Sequence, residues 1–140
     1  MVGKEISFGR YEVTAEEIIE FASKYDPQPF HTDPEAAKHS MLGVLCASGW
    51  HSCAMTMRML VEWMQENGVS SEGSPGVEQI RWLRPVVPGD VLAMRIKVIG
   101  ARLSGSRPGT GLVSFDHKTL DAAGNPVLTM ISTVFFPQRP

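Results

Sequence analysis

Ser48-Gly49-Trp50-His51-Ser52-Cys53-Ala54-Met55-Thr56-Met57-Arg58-Met59-Leu60-Val61-Glu62-Trp63-Met64-Gln65-Glu66 is the stretch on which the fold turns. Ser48 offers a capping hydroxyl, no breaker interrupts the run, and Asn67-Gly68 releases it, so the stretch reads as one helix. Trp50, Cys53, Ala54, Met55, Met57, Met59, Leu60, Val61, Trp63 and Met64 go nearly all the way round it, leaving a narrow polar stripe of His51, Arg58, Glu62 and Gln65. Such a helix belongs inside something. Its methionines and tryptophans would suit a cofactor box, but methionine fills irregular gaps, and core packing is the reading adopted.

What surrounds the helix lies downstream. β-branched and apolar runs at about Val77–Leu83, Val91–Leu103, Leu112–Leu120 and Val127–Phe136 alternate with turn clusters and read as strands. Ser106–Gly111 and Asp121–Asn125 are hairpin connections, so the last three strands are expected as an antiparallel meander, with Pro85–Asp90 turning the chain between the earlier strands. Upstream, the first clear element begins at Thr14, where Thr14-Ala15-Glu16-Glu17 is a capping box; Ile18, Phe21, Ala22 and Tyr25 then recur at helical spacing until Asp26-Pro27. From Asp26 to Ser48 the chain reads mostly as loop, with a short helical turn capped by Asp33 ahead of Pro34. The class is α+β, one long buried helix and a bent antiparallel sheet that wraps it.

At 140 residues and 43% apolar content the chain suits a single domain spanning residues 1–140. A formal net charge of −2 gives no basic footprint for nucleic acid. No run approaches the ~20 apolar residues of a membrane span, and Met1–Arg10 carries no apolar signal region, so a cytoplasmic protein with no membrane partner is expected. Cys46 and Cys53 are too few for a disulfide framework and read as small buried hydrophobes. With His51 they form a conceivable zinc set, but the spacing matches no familiar ligand pattern, and neither a metal nor a Gly-rich nucleotide fingerprint is expected.

Chemistry points to the loop. Asp26-Pro27-Gln28-Pro29-Phe30-His31 puts a carboxylate and an imidazole on a segment whose prolines limit backbone freedom. Held together, the two can position a water, remove its proton and deliver another, provided their pKa values are pushed toward neutrality. The plainer reading is a helix-ending Asp and an ordinary surface His. The second ingredient is Ser48-Gly49, where free N–H groups at the helix start suit an oxyanion and the missing Cβ of Gly49 leaves room for a carbonyl oxygen; tight packing is the alternative.

The stretch Thr14–Leu60, with Asp26-Pro27-Gln28-Pro29-Phe30-His31-Thr32-Asp33 at its centre, resembles the MaoC-like family of R-specific enoyl-CoA hydratases and acyl dehydratases, and Arg81-Trp82-Leu83-Arg84-Pro85-Val86-Val87-Pro88-Gly89-Asp90-Val91-Leu92 resembles its second landmark. The resemblance implies a hot-dog fold, an acyl-CoA or acyl-carrier thioester as substrate, no cofactor, and catalysis by Asp26, His31 and the backbone N–H of Gly49. Ser48, Gln28, Phe30 and His51 are the neighbours expected to bind substrate. Gln28 stands where the family commonly has Asn, Ser48 where many members have His, and Met57 where some hydratases carry a polar residue; His51 follows one turn in.

The remaining candidates have plainer readings. His51 sits on the polar stripe and reads as a structural or interface residue ahead of a pocket residue; His39 and His117 read as surface or strand-facing. Asp33 is a cap and Asp90 a turn residue, while Arg81, Arg84, Lys97, Arg102 and Arg107 read as a solvated strand face ahead of ligands for coenzyme A phosphates. Reversible hydration of a trans-2-enoyl thioester leads; thioester hydrolysis and a non-catalytic acyl-binding module are the alternatives. A lone sheet would expose edges and apolar surface, so a homodimer or an assembly of dimers is expected.

Overall fold

In the computed structural model the described residues, 2–137, run β1 (Glu5–Glu12), α1 (Ala15–Tyr25), α2 (Pro29–Thr32), α3 (Pro34–Lys38), α4 (Gly49–Glu66), β2 (Gly76–Trp82), β3 (Val91–Leu103), β4 (Thr110–Leu120) and β5 (Pro126–Pro137). The strands form one antiparallel sheet in the order β1-β3-β4-β5-β2, which contains the expected β3-β4-β5 meander. α4 packs against β1 and β3, and its Thr56 hydroxyl meets that of Thr119 in β4 at 2.6 Å. This is the hot-dog arrangement. The core sits between helix and sheet: Met55 and Met59 of α4 lie with Leu92, Met94 and Ile96 of β3, Leu128 of β5 and Ile18 of α1.

Several details differ from the sequence reading. β1 was not read as an element, although Ile6 and Phe8 alternate with exposed polar residues. A register shift between Phe8 and Tyr11 breaks the period, and Gly9 at φ +86° makes the break. A Cβ there would come within 3.0 Å of the Met59 sulfur, so Gly9 serves both the bulge and the close passage of β1 over α4. Pro85–Asp90 is part of a crossover and not a turn between neighbours, since β4 and β5 separate β2 from β3. Asp90 does more than end that turn. It accepts the Val87 N–H at 2.9 Å and a bidentate pair from Arg84 at 3.0 and 3.1 Å, while Asp121 accepts from Arg84 at 3.2 Å. Arg84 is thereby committed to two carboxylates of its own chain.

The helical wheel was right in being apolar and wrong about which side is buried. His51, Ser52, Met55, Thr56 and Met59 face inward, whereas Trp50, Met57 and Val61 are exposed. His51 left the polar stripe because it stacks on Phe21, with ring centroids 4.6 Å apart, and meets Glu17 Oε1 at 3.3 Å. That contact explains why the capping box is only half made. Thr14 Oγ1 accepts the Glu17 N–H at 3.2 Å, but the Glu17 carboxylate serves Tyr11 and His51 instead of reaching back. His117, expected at the surface or facing along a strand, is 3% exposed on the helix-facing side of β4; burial pushes its pKa down to about 4 and holds it neutral. The Asp33 cap is as read, accepting the Glu35 N–H at 3.0 Å.

Candidate active site

Pro27 ends α1 and leaves Asp26 as its C-cap, with the Asp26 N–H donating to the Ala22 carbonyl at 2.8 Å. The chain does not stay extended beyond it. Pro29 starts the single turn α2, and that turn swings His31 back until Nε2 lies 3.5 Å from Asp26 Oδ2. Asp26 and His31 side chains are 20% and 8% exposed, so the pair is sheltered without being sealed. The His31 N–H at Nδ1 donates to the Cys46 carbonyl at 2.6 Å. A carbonyl only accepts, so Nδ1 keeps its proton, and Nε2, facing Asp26, is the ring nitrogen that takes up or releases one.

Asp26 departs from the expectation of a carboxyl tuned toward neutrality. The Gln28 amide donates to Asp26 Oδ1 at 2.6 Å and is the main reason its pKa lies below the ordinary carboxylate value; partial burial opposes this, and the Ser48 hydroxyl and the His31 ring add to the lowering. Asp26 is therefore an anion at neutral pH. The stabilisation of the fold that comes with this shift is present above the ordinary carboxylate range and is lost as pH falls through the lowered folded value. Replacing Gln28 by Ala should move the acid limb of the kcat/KM profile to higher pH, because the anion loses its strongest donor. An unmoved limb would show that Gln28 does not set the ionisation of Asp26.

Gly49 is the first residue of α4, so its N–H stands outside the helical ladder at the positive end of the dipole. The space left by its absent side chain is not free, however. A Cβ would lie 2.7 Å from the indole of Trp82, whose Nε1–H donates to the Gly49 carbonyl at 2.8 Å. Gly49 is small because Trp82 packs there, and the indole in turn fixes the first peptide of the helix. Asp26, His31 and Gly49, the three residues expected to act, line one open cleft of about 450 Å³, with Trp50, Trp82 and Arg84 among its other walls.

The expected substrate-binding residues divide differently. Ser48 is fully buried, caps α4 by accepting the Trp50 N–H at 3.3 Å and supports Asp26. Gln28 pins Asp26, and Phe30 packs edge-on against His31 with centroids 4.3 Å apart. These three hold the Asp26–His31 pair; none of them lines the cleft. His51 belongs to another cavity, with Tyr11, Glu17 and Phe21. Cys46 lies beside His31 while His51 bonds toward Glu17, and no group of three or more His, Cys, Asp or Glu among the described residues is arranged to hold a metal. Sequence reasoning missed Trp50 and Trp82 as walls. The available signal was the indole N–H of Trp82, a donor that needs an acceptor when it is half-covered.

The sequence model of the MaoC like domain matches residues 1–119. The UPF0336 protein of Streptomyces avermitilis is 31% identical over 126 residues, 87% of this chain and 82% of that protein. The crystal structure of the MaoC-like dehydratase from Rhodospirillum rubrum superposes with a TM-score of 0.86 at 38% identity, covering 100% of this chain and 94% of that one. The (R)-hydratase from A. caviae shares the fold, with a TM-score of 0.76 at 20% identity over 98% of this chain and 97% of that one.

Proposed function

The chain belongs to the MaoC-like domain family, and we propose that it adds water to, or removes it from, the double bond of a trans-2-enoyl thioester, interconverting it with the 3-hydroxyacyl thioester. The observation that carries this reading is the convergence of Asp26, His31 and Gly49, the first residue of α4, on one cleft. In the hydration direction a water held by the Asp26 carboxylate and the His31 imidazole attacks the β-carbon. Its oxygen forms the new C–O bond, one of its protons goes to Asp26, and the π electrons move onto the thioester oxygen, which the Gly49 N–H receives. Protonated His31 then delivers the proton at Nε2 to the α-carbon as the enolate collapses. Proton passage across the 3.5 Å contact from Asp26 to His31 restores the starting state. The coenzyme A ester is the form of substrate we assign, on the family resemblance; no cofactor takes part in the scheme.

Hydration and thioester hydrolysis break different bonds, so crotonyl-CoA distinguishes them. Loss of the conjugated enone without release of free thiol is the expected result. Thiol release with the carbon–carbon double bond retained in the free acid would make the protein a thioesterase, and an unchanged substrate would leave a binding module.

The surface supports a reading of the chain as a homodimer. β2 is an edge strand, and exposed Val77 and Trp82 on it lie with exposed Trp50 and Met57 of α4. Two copies paired through β2 would cover this face with an interface of roughly 1,200 Å² or more and extend the sheet. Val77→Lys should shift the dimer toward monomer in sedimentation at micromolar concentration. A wild-type protein that is fully active as a monomer would contradict the pairing.

A further inference from the structure

Among the described residues Gln79 is the one non-glycine with a positive φ, +54°, and it sits inside β2, where extended backbone is the rule. A side chain in this left-handed region is strained, and the position is one that glycine takes in a bulge. The pairing shows what the strain accomplishes. Val77 lies opposite Ser132 and Glu78 opposite Ile131, but Arg81 lies opposite Thr129 and Trp82 opposite Leu128, so Gln79 and Ile80 together stand against Met130. Directly opposed residues share a face of the sheet, and successive ones alternate. Met130 and Ser132 wall a cavity against Thr56 and Leu60 of α4, so the even positions of β5 face that helix, and Val77 faces it with them. A regular strand would then send Trp82 to the opposite face. The extra residue reverses the alternation, so that Val77, Ile80 and Trp82 all face α4 and the Trp82 indole reaches Gly49.

Gly49 gains most from that contact. Without a Cβ its backbone is the freest of any residue, and it stands at the helix start, where the hydrogen-bond ladder holds only one side. A carbonyl oxygen has two lone pairs, one for the helix and one to spare, and Trp82 Nε1–H donates to the Gly49 carbonyl at 2.8 Å. The indole also fills the space a Cβ would take, 2.7 Å from its nearest atoms, and is braced edge-on by Trp50 with centroids 5.3 Å apart. Rotation that would swing the Gly49 N–H away from the cleft is thereby resisted.

Resting on the hydratase reading above, we propose that the bulge at Gln79 serves the reaction: it aims Trp82 at Gly49, and Trp82 holds the Gly49 N–H toward the thioester oxygen. Gln79 and Trp82 are positioning residues, and neither supplies a group to the chemistry. With crotonyl-CoA, Trp82→Phe keeps a ring but has no donor; kcat should fall about tenfold with little change in KM, because an oxyanion contact is made fully only in the transition state. Gln79→Val, whose β-branched side chain resists the left-handed conformation, should lose kcat to a similar extent. Combined with Trp82→Phe it should lose no more than either alone, since both act through one indole. Gln79→Gly adopts the conformation without strain, so it should keep kcat and unfold at a higher urea concentration than wild type. Independently of turnover, the infrared carbonyl band of bound butyryl-CoA, labelled with ¹³C at the thioester carbon, should lie below its position in water for wild type and Gln79→Gly, and shift less for Trp82→Phe and Gln79→Val. Wild-type kcat with an undiminished carbonyl shift in Trp82→Phe, or a loss confined to KM, overturns the inference alone when wild type still hydrates crotonyl-CoA. Additive losses in the double variant, or a lowered kcat in Gln79→Gly whatever Gln79→Val does, overturn the part assigned to the bulge. No hydration of crotonyl-CoA by wild type overturns the reading beneath.

Discussion

Asp26→Asn and His31→Ala are each expected to lower turnover of a trans-2-enoyl thioester by roughly 10²–10⁴-fold, the usual contribution of a positioned acid or base. The asparagine keeps the size of the side chain but neither carries the negative charge nor takes a proton from water, so the loss should appear in kcat. The histidine variant does two things. It removes the proton carrier, and it leaves the buried Cys46 carbonyl without the Nδ1–H that meets it at 2.6 Å, an additional stability cost of about 1–3 kcal/mol. His31→Gln separates the two effects: an amide can still donate to Cys46, so stability should recover while turnover stays low. Near-normal turnover in either Asp26→Asn or His31→Gln would remove that residue from the mechanism.

The second large effect is expected at a residue that supplies only backbone. Gly49→Ala puts a methyl where the Trp82 indole already lies, 2.7 Å from its nearest atoms, and either the indole or the start of α4 must move. Overpacking of this kind costs about 1–3 kcal/mol, and displacing an oxyanion donor by about 1 Å costs on the order of 10²-fold in rate. Urea melts and steady-state kinetics on the same variant read both. Because the clash is with the indole, Gly49→Ala combined with Trp82→Phe should recover part of the stability, a coupling that independent sites would not show. If Gly49→Ala alone is as stable and as fast as wild type, the first peptide of α4 is not the fixed donor described here.

How far the sequence could be read depended on whether a signal was local. Four of the five strands, α1, α4 and the caps at Thr14, Asp33 and Ser48 lie where period, proline and hydroxyl spacing indicate. β1 was lost because the bulge at Gly9 interrupts a two-residue period, and α2 because Pro29–Thr32 is a single turn with no period to find. Asp26, His31 and Gly49 were legible as candidates, yet their convergence on one cleft is a tertiary fact. Long-range partners explain the rest. His51 is drawn inward by Phe21 and Glu17, Arg84 is held by Asp90 and Asp121, and His117 is buried under α4. None of these pairings leaves a mark in the spacing of its own segment. The direction of the Asp26 shift was missed for a similar reason: the amide that sets it, Gln28, was read as a departure from the family pattern when it is a hydrogen-bond donor to the carboxylate.

The most direct measurement follows the conjugated double bond of crotonyl-CoA with wild-type protein and with the Asp26→Asn, His31→Gln double variant, in buffer free of added metal or nucleotide. The account predicts rapid loss of the enone and appearance of the 3-hydroxybutyryl ester with wild type, the reverse reaction from that product, and a double variant little worse than the weaker single one, since the two residues act on one water. An enone that wild-type protein leaves intact, or one that the double variant consumes at the wild-type rate, would contradict the assignment of this cleft as a hydratase site.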